Sequence, residues 1–257
     1  MADTASGHGV PPQRREALLR QAGLGWLAFP LVGAGAVFYM RLWRGNRIAG
    51  LPEARRLYRQ ALSTGRPTIV CANHLTMIDS LFLHHGLASL GTYLRDFRRF
   101  SWNLPAVENF AVTPLRRAFI YLGKCIPIDR AGDAAHHESV LEQVRWLVAQ
   151  GHVFMIFPEG GRSRTGRIEP EAITYGVGQI LKDLDRPQVI CAYLRGKRQE
   201  TWGSVPRWGD TLCLQTELLE PTTTETGLRA VRDLARQVAS KLKAMEDRHF
   251  STILVEP

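Results

Sequence analysis

The chain has 257 residues, and its 45% hydrophobic and 22% charged content excludes a collagen-like or wholly disordered protein. It carries 33 basic and 24 acidic residues, a formal net charge of +9, and 28 of the basic residues are arginine. Arginine grips phosphate and carboxylate with paired hydrogen bonds, so the excess indicates anionic partners such as phospholipid headgroups, although a coding bias toward arginine gives the same composition.

The N-terminal part of the chain is unusually apolar. We predict a disordered tail over residues 1–12 and a membrane-associating helical segment over residues 13–50. Residues 21–40 carry no charge, and a helix of that length spans about 30 Å, the thickness of a bilayer's hydrocarbon core. Arginines flank both ends, which fits a helix, or a bent helical pair kinked at Pro30, that dips into one leaflet. The alternatives are a signal peptide cleaved near residues 34–36 and a buried helix, which would need a polar face.

Residues 51–257 are predicted to form one domain in which strands alternate with helices. The predicted helices cover residues 52–64, 77–90, 133–150 and 171–183, and a closing helix carries Leu228, Val231, Leu234, Val238, Leu242 and Met245 on one face. The predicted strands cover residues 68–72, 123–128, 152–157, 188–194 and 211–218. This alternation indicates an α/β layered fold with a largely parallel sheet flanked by helices.

The first polar cluster follows the strand at residues 68–72. It contains His74 and, five positions later, Asp79. An imidazole takes a proton from a hydroxyl at neutral pH, and a carboxylate can fix its tautomer and stabilise the imidazolium. Thr76 and Asp79 also have the spacing of a capping box that opens the next helix, and the two interpretations are compatible.

Two further clusters end predicted strands, where open α/β sheets place their sites. Residues 157–163 read Phe-Pro-Glu-Gly-Gly-Arg-Ser, in which two glycines let the backbone approach a ligand and Arg162 adds positive charge. Residues 123–130 begin with the strand predicted over residues 123–128, which would deliver Arg130 to the same sheet edge. The alternatives are a tight solvated turn for the former and a surface arginine for the latter.

The sequence gives no sign of a metal site or of a nucleic-acid-binding motif. The four cysteines are scattered without metal-ligand spacing, which also argues against a disulfide scaffold and fits a reducing compartment. No basic and aromatic repeat typical of nucleic-acid binding is present, so we expect no nucleic-acid partner.

Together the three clusters resemble the glycerolipid acyltransferase family, and most closely its bacterial 1-acylglycerol-3-phosphate acyltransferase branch. The family's blocks are N-H-x4-D, a strand leading to arginine, and F-P-E-G-T-R-S. They are matched by Asn73, His74 and Asp79, by residues 123–130, and by residues 157–163 with Gly161 in place of threonine. The resemblance covers about residues 69–196, and an apolar N-terminus is also typical of the family.

The resemblance implies transfer of a fatty acyl group from acyl-CoA or acyl-carrier protein to the hydroxyl of 1-acylglycerol 3-phosphate (lysophosphatidic acid), which gives phosphatidic acid in phospholipid synthesis. His74 would be the general base and Asp79 its partner. The acceptor would be held by Arg130, Glu159, Gly160, Gly161 and Arg162, with Asn73, Thr76 and Ser163 in support. No metal or cofactor is implied beyond the acyl donor as co-substrate.

The implied partners are membrane phospholipids, a lysolipid and the acyl donor, and the implied location is the cytoplasmic face of the inner membrane. Gly161 removes a hydroxyl from the acceptor loop, and residues 202–208 form an unusual aromatic and basic stretch. The acceptor could therefore be another lysolipid or glycerol 3-phosphate. A function of a different class is non-catalytic phospholipid binding at the membrane surface.

Overall fold

The computed structural model describes residues 9–110 and 113–253, so most of the predicted tail over residues 1–12 lies outside the described residues. The helices there are α1 (Pro12–Val37), α2 (Leu51–Ser63), α3 (Asp79–Leu87), α4 (Leu90–Arg95), α5 (Val107–Phe110), α6 (Pro114–Leu122), α7 (Ala134–Ala149), α8 (Gly176–Lys182) and α9 (Gly227–Ile253). The strands are β1 (Arg47–Ala49), β2 (Thr68–Ala72), β3 (Trp102–Asn103), β4 (Phe154–Ile156), β5 (Gln188–Gly196) and β6 (Thr211–Leu219).

Across the described residues, six strands form one sheet in the order β1-β6-β5-β2-β4-β3. Four of the neighbouring pairs are parallel, and the pair β5–β6 is antiparallel. Helices flank this sheet, so the predicted mixed α/β fold is confirmed. The late strand at residues 211–218 is also confirmed, but β6 and its parallel neighbour β1 run antiparallel to the other four strands.

The two faces of the sheet carry separate cores because side chains alternate along a strand. Ile69 and Cys71 of β2 belong to the core that contains the apolar residues of α7, α8 and α9. Val70 and Ala72 belong to the opposite core, with those of α2 and α3. Strand β2 is buried on both faces over its whole length, which explains its apolar run from Ile69 to Ala72.

Helix α1 packs one narrow face against the domain. Gly25 allows the closest approach, because a Cβ there would lie 2.6 Å from the carbonyl oxygen of Leu122. Phe29 continues this face and contacts the rings of Tyr93, Phe97 and Phe100 edge-on. The helix runs through Pro30 without interruption, so residues 12–37 form one helix and not two.

The opposite face of α1 is apolar and exposed. Leu27 is 67% exposed and Leu31 is 82% exposed, and six π-helical residues, Phe38–Trp43, extend the helix with further exposed apolar side chains. By length and composition, the helix from Pro12 to Trp43 is able to cross a membrane. Its exposed apolar face is a feature of helices that associate with membranes.

Residues 123–128 do not form the predicted strand. Lys124 has a left-handed backbone (φ 55°), and Pro127 has no N–H to give to a ladder. The segment instead runs beside the end of β3, and its Cys125 and Ile128 make single bridges with Asn103 and Ala106.

Two predicted helices are shorter than expected. The helix predicted over residues 77–90 begins at Asp79 and breaks at Ala88, which is extended, and Ser89 then caps α4. In the helix predicted over residues 171–183, Thr174 bonds the carbonyl oxygen of Pro158 through both its N–H and its hydroxyl. These bonds hold the preceding residues off the helix, which therefore starts at Gly176.

The remaining helix predictions are confirmed. The helix predicted over residues 52–64 forms as α2, and Asp133 caps α7 by accepting a hydrogen bond from the N–H of His136 (2.8 Å). The closing helix buries its predicted apolar face except at Leu228, which lies in its first turn and is 71% exposed.

Candidate active site

The carboxyl end of β2 positions the first cluster. Asn73 follows the strand, and its amide exchanges two hydrogen bonds with the backbone of Leu194 in β5, at 2.7 and 3.0 Å. This pairing fixes the separation of the two strands where the ladder stops. His74 therefore leaves the sheet at a defined point, which supports an ordered site at this edge.

His74 and Asp79 lie together, as the sequence predicted. The Nδ1 atom of His74 is 3.1 Å from Oδ2 of Asp79. That oxygen also accepts hydrogen bonds from the N–H groups of Leu75 and Thr76, both at 2.7 Å, while Oδ1 accepts from the Thr76 hydroxyl at 2.5 Å. The carboxylate is buried, and the imidazole is 19% exposed, so Nε2 is the ring nitrogen left for a substrate.

The capping-box interpretation of Thr76 and Asp79 is only half right. Asp79 accepts from the N–H of Thr76, but the Thr76 hydroxyl donates to the carboxylate instead of capping the helix. The N-cap of α3 is Ile78, which has no side chain able to accept a hydrogen bond. Thr76 thus orients Asp79 rather than the helix.

The loop at residues 157–163 brackets His74 from the neighbouring strand β4. The ring of Phe157 stacks on the imidazole with centroids 4.3 Å apart. Oε1 of Glu159 accepts the N–H of His74 at 2.9 Å, and the N–H of Ser163 donates to the carbonyl oxygen of His74 at 3.0 Å. The structure therefore brings the His74–Asp79 cluster and the loop at residues 157–163 into one site.

The two glycines of this loop have different surroundings. Gly160 has φ 67°, and a Cβ there would lie 2.8 Å from Cγ2 of Thr174, so only glycine fits. Gly161 meets open space within 4 Å. The threonine of the family motif would fit at Gly161, so its loss changes the chemistry of the loop and not its shape.

Glu159 is an acid of this site whose pKa is strongly altered by its surroundings. Burial raises the pKa of Glu159 to about 7 against its ordinary 4.5, and the nearby carboxylates of Glu246, Asp79 and Glu169 add to the rise. The hydrogen bond from the His74 N–H opposes the rise without cancelling it. The carboxyl group is therefore partly protonated at neutral pH.

We expect Glu159→Gln to change how stability depends on pH. Because the folded state keeps a proton that the unfolded state releases, the free energy of unfolding of the wild type falls as pH rises from about 4.5 to about 7. The glutamine variant cannot ionise, so the wild type should lose about 2–3 kcal/mol relative to it across that window. Denaturant titrations in one detergent at pH 5 and pH 8 measure this difference.

The control for that experiment is Glu200→Gln, which removes an exposed carboxylate and matches the change in net charge. If the free energies of unfolding of wild type and Glu159→Gln differ by the same amount at both pH values, the raised pKa of Glu159 is contradicted.

Arg162 extends from the loop to the segment between β5 and β6. Its Nη1 donates to the carbonyl oxygen of Gly203 at 3.1 Å, and its guanidinium lies 4.6 Å from the ring centroid of Trp202. One face of the guanidinium is thus covered, while the other N–H groups remain for an anion.

Arg130 is placed at the same side of the sheet but on a different element. It follows the segment that bridges to Ala106, and its side chain is half exposed, 3.8 Å from the carboxylate of Glu108. An exposed ion pair of that length contributes little, so the contact with Glu108 does not tie the guanidinium down strongly. The described contacts do not join Arg130 to His74 directly.

Sequence reasoning missed the contacts that hold the first cluster in place. Phe157 was named only as the start of its motif, without a role for its ring, and the N–H of Leu75 and the carbonyl oxygen of Gly203 were given no role. Of these contacts, the sequence pointed only to the region of Gly203, through the aromatic stretch at residues 202–208. Within residues 9–110 and 113–253, no group of three or more His, Cys, Asp or Glu side chains is arranged to hold a metal ion.

Comparison with known proteins identifies the family. The family model described as Acyltransferase matches residues 54–194, which is more than half of the chain. A 1-acyl-sn-glycerol-3-phosphate acyltransferase of Limnanthes douglasii is 33% identical over 107 residues, 42% of this chain and 34% of that protein. One of the same name from Cocos nucifera is 32% identical over 108 residues, 42% of this chain and 31% of that protein.

The chain thus spans about a third of the length of the curated relatives it matches. Both relatives are plant proteins, so they support the family and not the bacterial branch that the motifs resemble most closely. The matched region contains all three predicted clusters and the His74–Asp79 pair. The chain therefore belongs to the glycerolipid acyltransferase family.

Proposed function

We propose that this protein is an O-acyltransferase that acylates 1-acylglycerol 3-phosphate to phosphatidic acid. The observation that carries the proposal is the His74–Asp79 pair, oriented at the end of β2 with Nε2 of the imidazole left open. The names of the two plant relatives supply the substrate class.

In the proposed reaction, Nε2 of His74 removes the proton from the acceptor hydroxyl while that oxygen attacks the thioester carbonyl carbon. Asp79 stabilises the imidazolium that forms. The C–S bond then breaks, the imidazolium returns the proton to the departing thiolate, and an ester and a free thiol result. Since a thioester is already activated, positioning and proton transfer supply the acceleration.

The acceptor is proposed to lie between the loop at residues 157–163 and Arg130, with Arg162 as a second cation. A phosphate dianion needs charge-assisted hydrogen bonds, which both guanidinium groups can donate. Gly161 leaves open space on the loop side of this site. That space favours, as the alternative acceptor, another lysolipid or glycerol 3-phosphate.

The donor is proposed to be acyl-CoA or acyl-carrier protein, used as a co-substrate and with no further cofactor. The exposed apolar face of α1 supports a location at the membrane, where lysolipid and phospholipid reside, and we propose the cytoplasmic face of the inner membrane. The acyl donor, the lysolipid acceptor and the membrane phospholipids are thus the partners proposed for this reaction.

The proposal is tested by incubating the purified chain with an acyl-CoA and a panel of acceptors. Thiol release should depend on an acceptor and be fastest with 1-acylglycerol 3-phosphate, compared with glycerol 3-phosphate and lysophosphatidylcholine. Binding of lysolipid without thiol release from any donor would favour the alternative of a non-catalytic phospholipid-binding protein.

We expect Arg130→Ala to lower kcat/KM by about 10–100-fold on an acceptor with a free phosphate, because a charge-assisted hydrogen bond is worth about 1.5–3 kcal/mol. Arg130→Lys should recover part of the loss, since a point charge does not reproduce the planar fork. The measurement is initial-rate kinetics on lysophosphatidic acid and on lysophosphatidylcholine, where the effect should shrink.

Arg229→Ala, which removes an exposed arginine from α9, controls for the change in net charge. Equal losses by Arg130→Ala on both acceptors would show that Arg130 serves the fold or the donor. The acceptor-phosphate assignment would then be wrong.

A further inference from the structure

The segment between β5 and β6 is attached to the active site along its inner side. The N–H of Gly203 donates to the carbonyl oxygen of Leu75 at 2.9 Å, and the N–H of Met77 donates to the carbonyl oxygen of Ser204 at 3.2 Å. These bonds extend the segment alongside the chain that connects His74 to Asp79. Gly203 and Ser204, at the inner side of the segment, therefore form one wall of the site, and residues 205–208 lie beyond it.

The same segment is attached to the end of the N-terminal helix. Arg44 donates to the carbonyl oxygen of Pro206 at 2.5 Å, and Asn46 donates to that of Arg207 at 2.8 Å. The guanidinium of Arg44 also lies 4.9 Å from the ring centroid of Trp208. The apolar helix and the wall of the active site are thus parts of one connected surface.

The outer side of this surface exposes large apolar side chains. Leu42 and Trp43 at the end of the helix are 75% and 60% exposed, and Val205 and Trp208 of the segment are 37% and 58% exposed. We call these four residues the aromatic rim. Folded proteins rarely leave such side chains clustered in water unless something covers them.

The charges around the aromatic rim show what kind of partner would cover it. The exposed arginines beside it are Arg41, Arg47, Arg198 and Arg207. The nearby acids are Asp210, which is buried against Arg198, and Glu200, which pairs with Arg207. Tryptophan and arginine are the side chains that favour the boundary between headgroups and hydrocarbon, and the positive excess complements anionic lipid.

We propose that the aromatic rim docks into the surface of an anionic bilayer and so places the mouth of the active site against the lipid. This inference rests on the proposed function in that the acceptor is a membrane lipid. It adds a membrane contact outside the N-terminal helix, made by the loop that walls the site. A lysolipid could then reach His74 from the bilayer without crossing bulk water.

Labelling tests the contact without relying on activity. Val205→Cys introduces a thiol at the aromatic rim, and Leu228→Cys, the matched control, introduces one at an exposed apolar position on α9. Each variant is labelled with an environment-sensitive fluorophore in the full chain. Unsubstituted chain measures labelling of the native cysteines. Vesicles of equal parts phosphatidylglycerol and phosphatidylcholine should shift the emission at position 205 to the blue and leave position 228 unchanged.

Kinetics test the consequence for catalysis. Trp208→Glu should lower turnover of lysophosphatidic acid presented in anionic vesicles by about tenfold, as expected when one large apolar side chain loses its burial. Its turnover of a short-chain, water-soluble acceptor should stay near that of the wild type. Leu228→Glu makes the same change of charge at an exposed leucine on α9 and should affect neither assay.

Three results would overturn the proposal. Emission at position 205 could stay unchanged on vesicles, or it could respond to an acidic carrier protein and not to lipid, which would make the rim a protein-docking surface. Equal losses by Trp208→Glu on both acceptors would place the residue in the fold of the site. If no acceptor releases thiol, the proposed reaction fails, while the fluorescence result still decides the membrane contact.

Discussion

Replacing His74 with alanine is expected to lower kcat by about 10²–10⁴-fold, the contribution of a positioned general base. The imidazole contacts Asp79 and stacks on Phe157, yet it is not part of either core, so the fold should survive. Losing the stacking should cost about 0.5–1.5 kcal/mol of stability. Initial rates of thiol release, together with a thermal unfolding curve in the same detergent, measure both effects.

A second histidine provides the matched control for this variant. His85 lies on α3, later in the helix that Asp79 begins, and it is partly exposed. His85→Ala should retain turnover because that ring has no bond to Asp79. Unimpaired turnover by His74→Ala would make the general-base assignment wrong.

Asp79→Asn is expected to lose about 10²–10³-fold in kcat with a smaller loss of stability, because general-base catalysis then lacks the negative charge that stabilises the imidazolium. The asparagine oxygen can still accept from the N–H groups of Leu75 and Thr76. Its NH₂ group can donate to the Thr76 hydroxyl, which is able to accept as well as donate. Steady-state kinetics and a denaturant titration of the same preparation separate the two losses.

Asp79→Ala provides the comparison, since it leaves two buried N–H groups without acceptors and should cost more stability, about 1–3 kcal/mol for each group. Asp133→Asn changes an aspartate at another helix start, where asparagine caps equally well, and should change neither activity nor stability greatly. Wild-type turnover by Asp79→Asn would show that the carboxylate holds the backbone and plays no part in proton transfer.

Much of the architecture could be predicted because some patterns report burial directly. Strand β2 is apolar from Ile69 to Ala72 and is buried at every position. The spacing of Val231, Leu234 and Val238 places them on the buried face of α9. In such elements the local pattern and the tertiary environment agree, so the sequence suffices.

The departures arise where a distant contact overrides the local pattern. Thr174 leaves its predicted helix because both of its donors bond Pro158, sixteen residues earlier. The direction of β6 is also set at a distance, since an apolar strand carries no mark of whether its neighbour is parallel. Lys124 adopts a left-handed backbone that breaks its predicted strand, and it is fully buried.

In the site, too, some features could be predicted from the sequence and others depend on distant contacts. His74, Asp79 and Glu159 could be singled out because they stand in sequence blocks that resemble those of one family, in the same order along the chain. Their supports could not, because the bonds that Gly203 makes to Leu75 and Arg162 join positions far apart in the chain. Sequence alone indicated an odd stretch at residues 202–208, and the folded chain shows what it touches.

The position of strand β1 limits how the apolar N-terminal helix can be removed from this protein. Residues 47–49 are the outermost strand of the sheet and cover residues 211–213 of β6. A fragment beginning at residue 51 would expose a row of unpaired backbone groups, which invites pairing between copies and precipitation. Polar substitutions at Leu27 and Leu31 are therefore a better route to a well-behaved soluble variant than truncation.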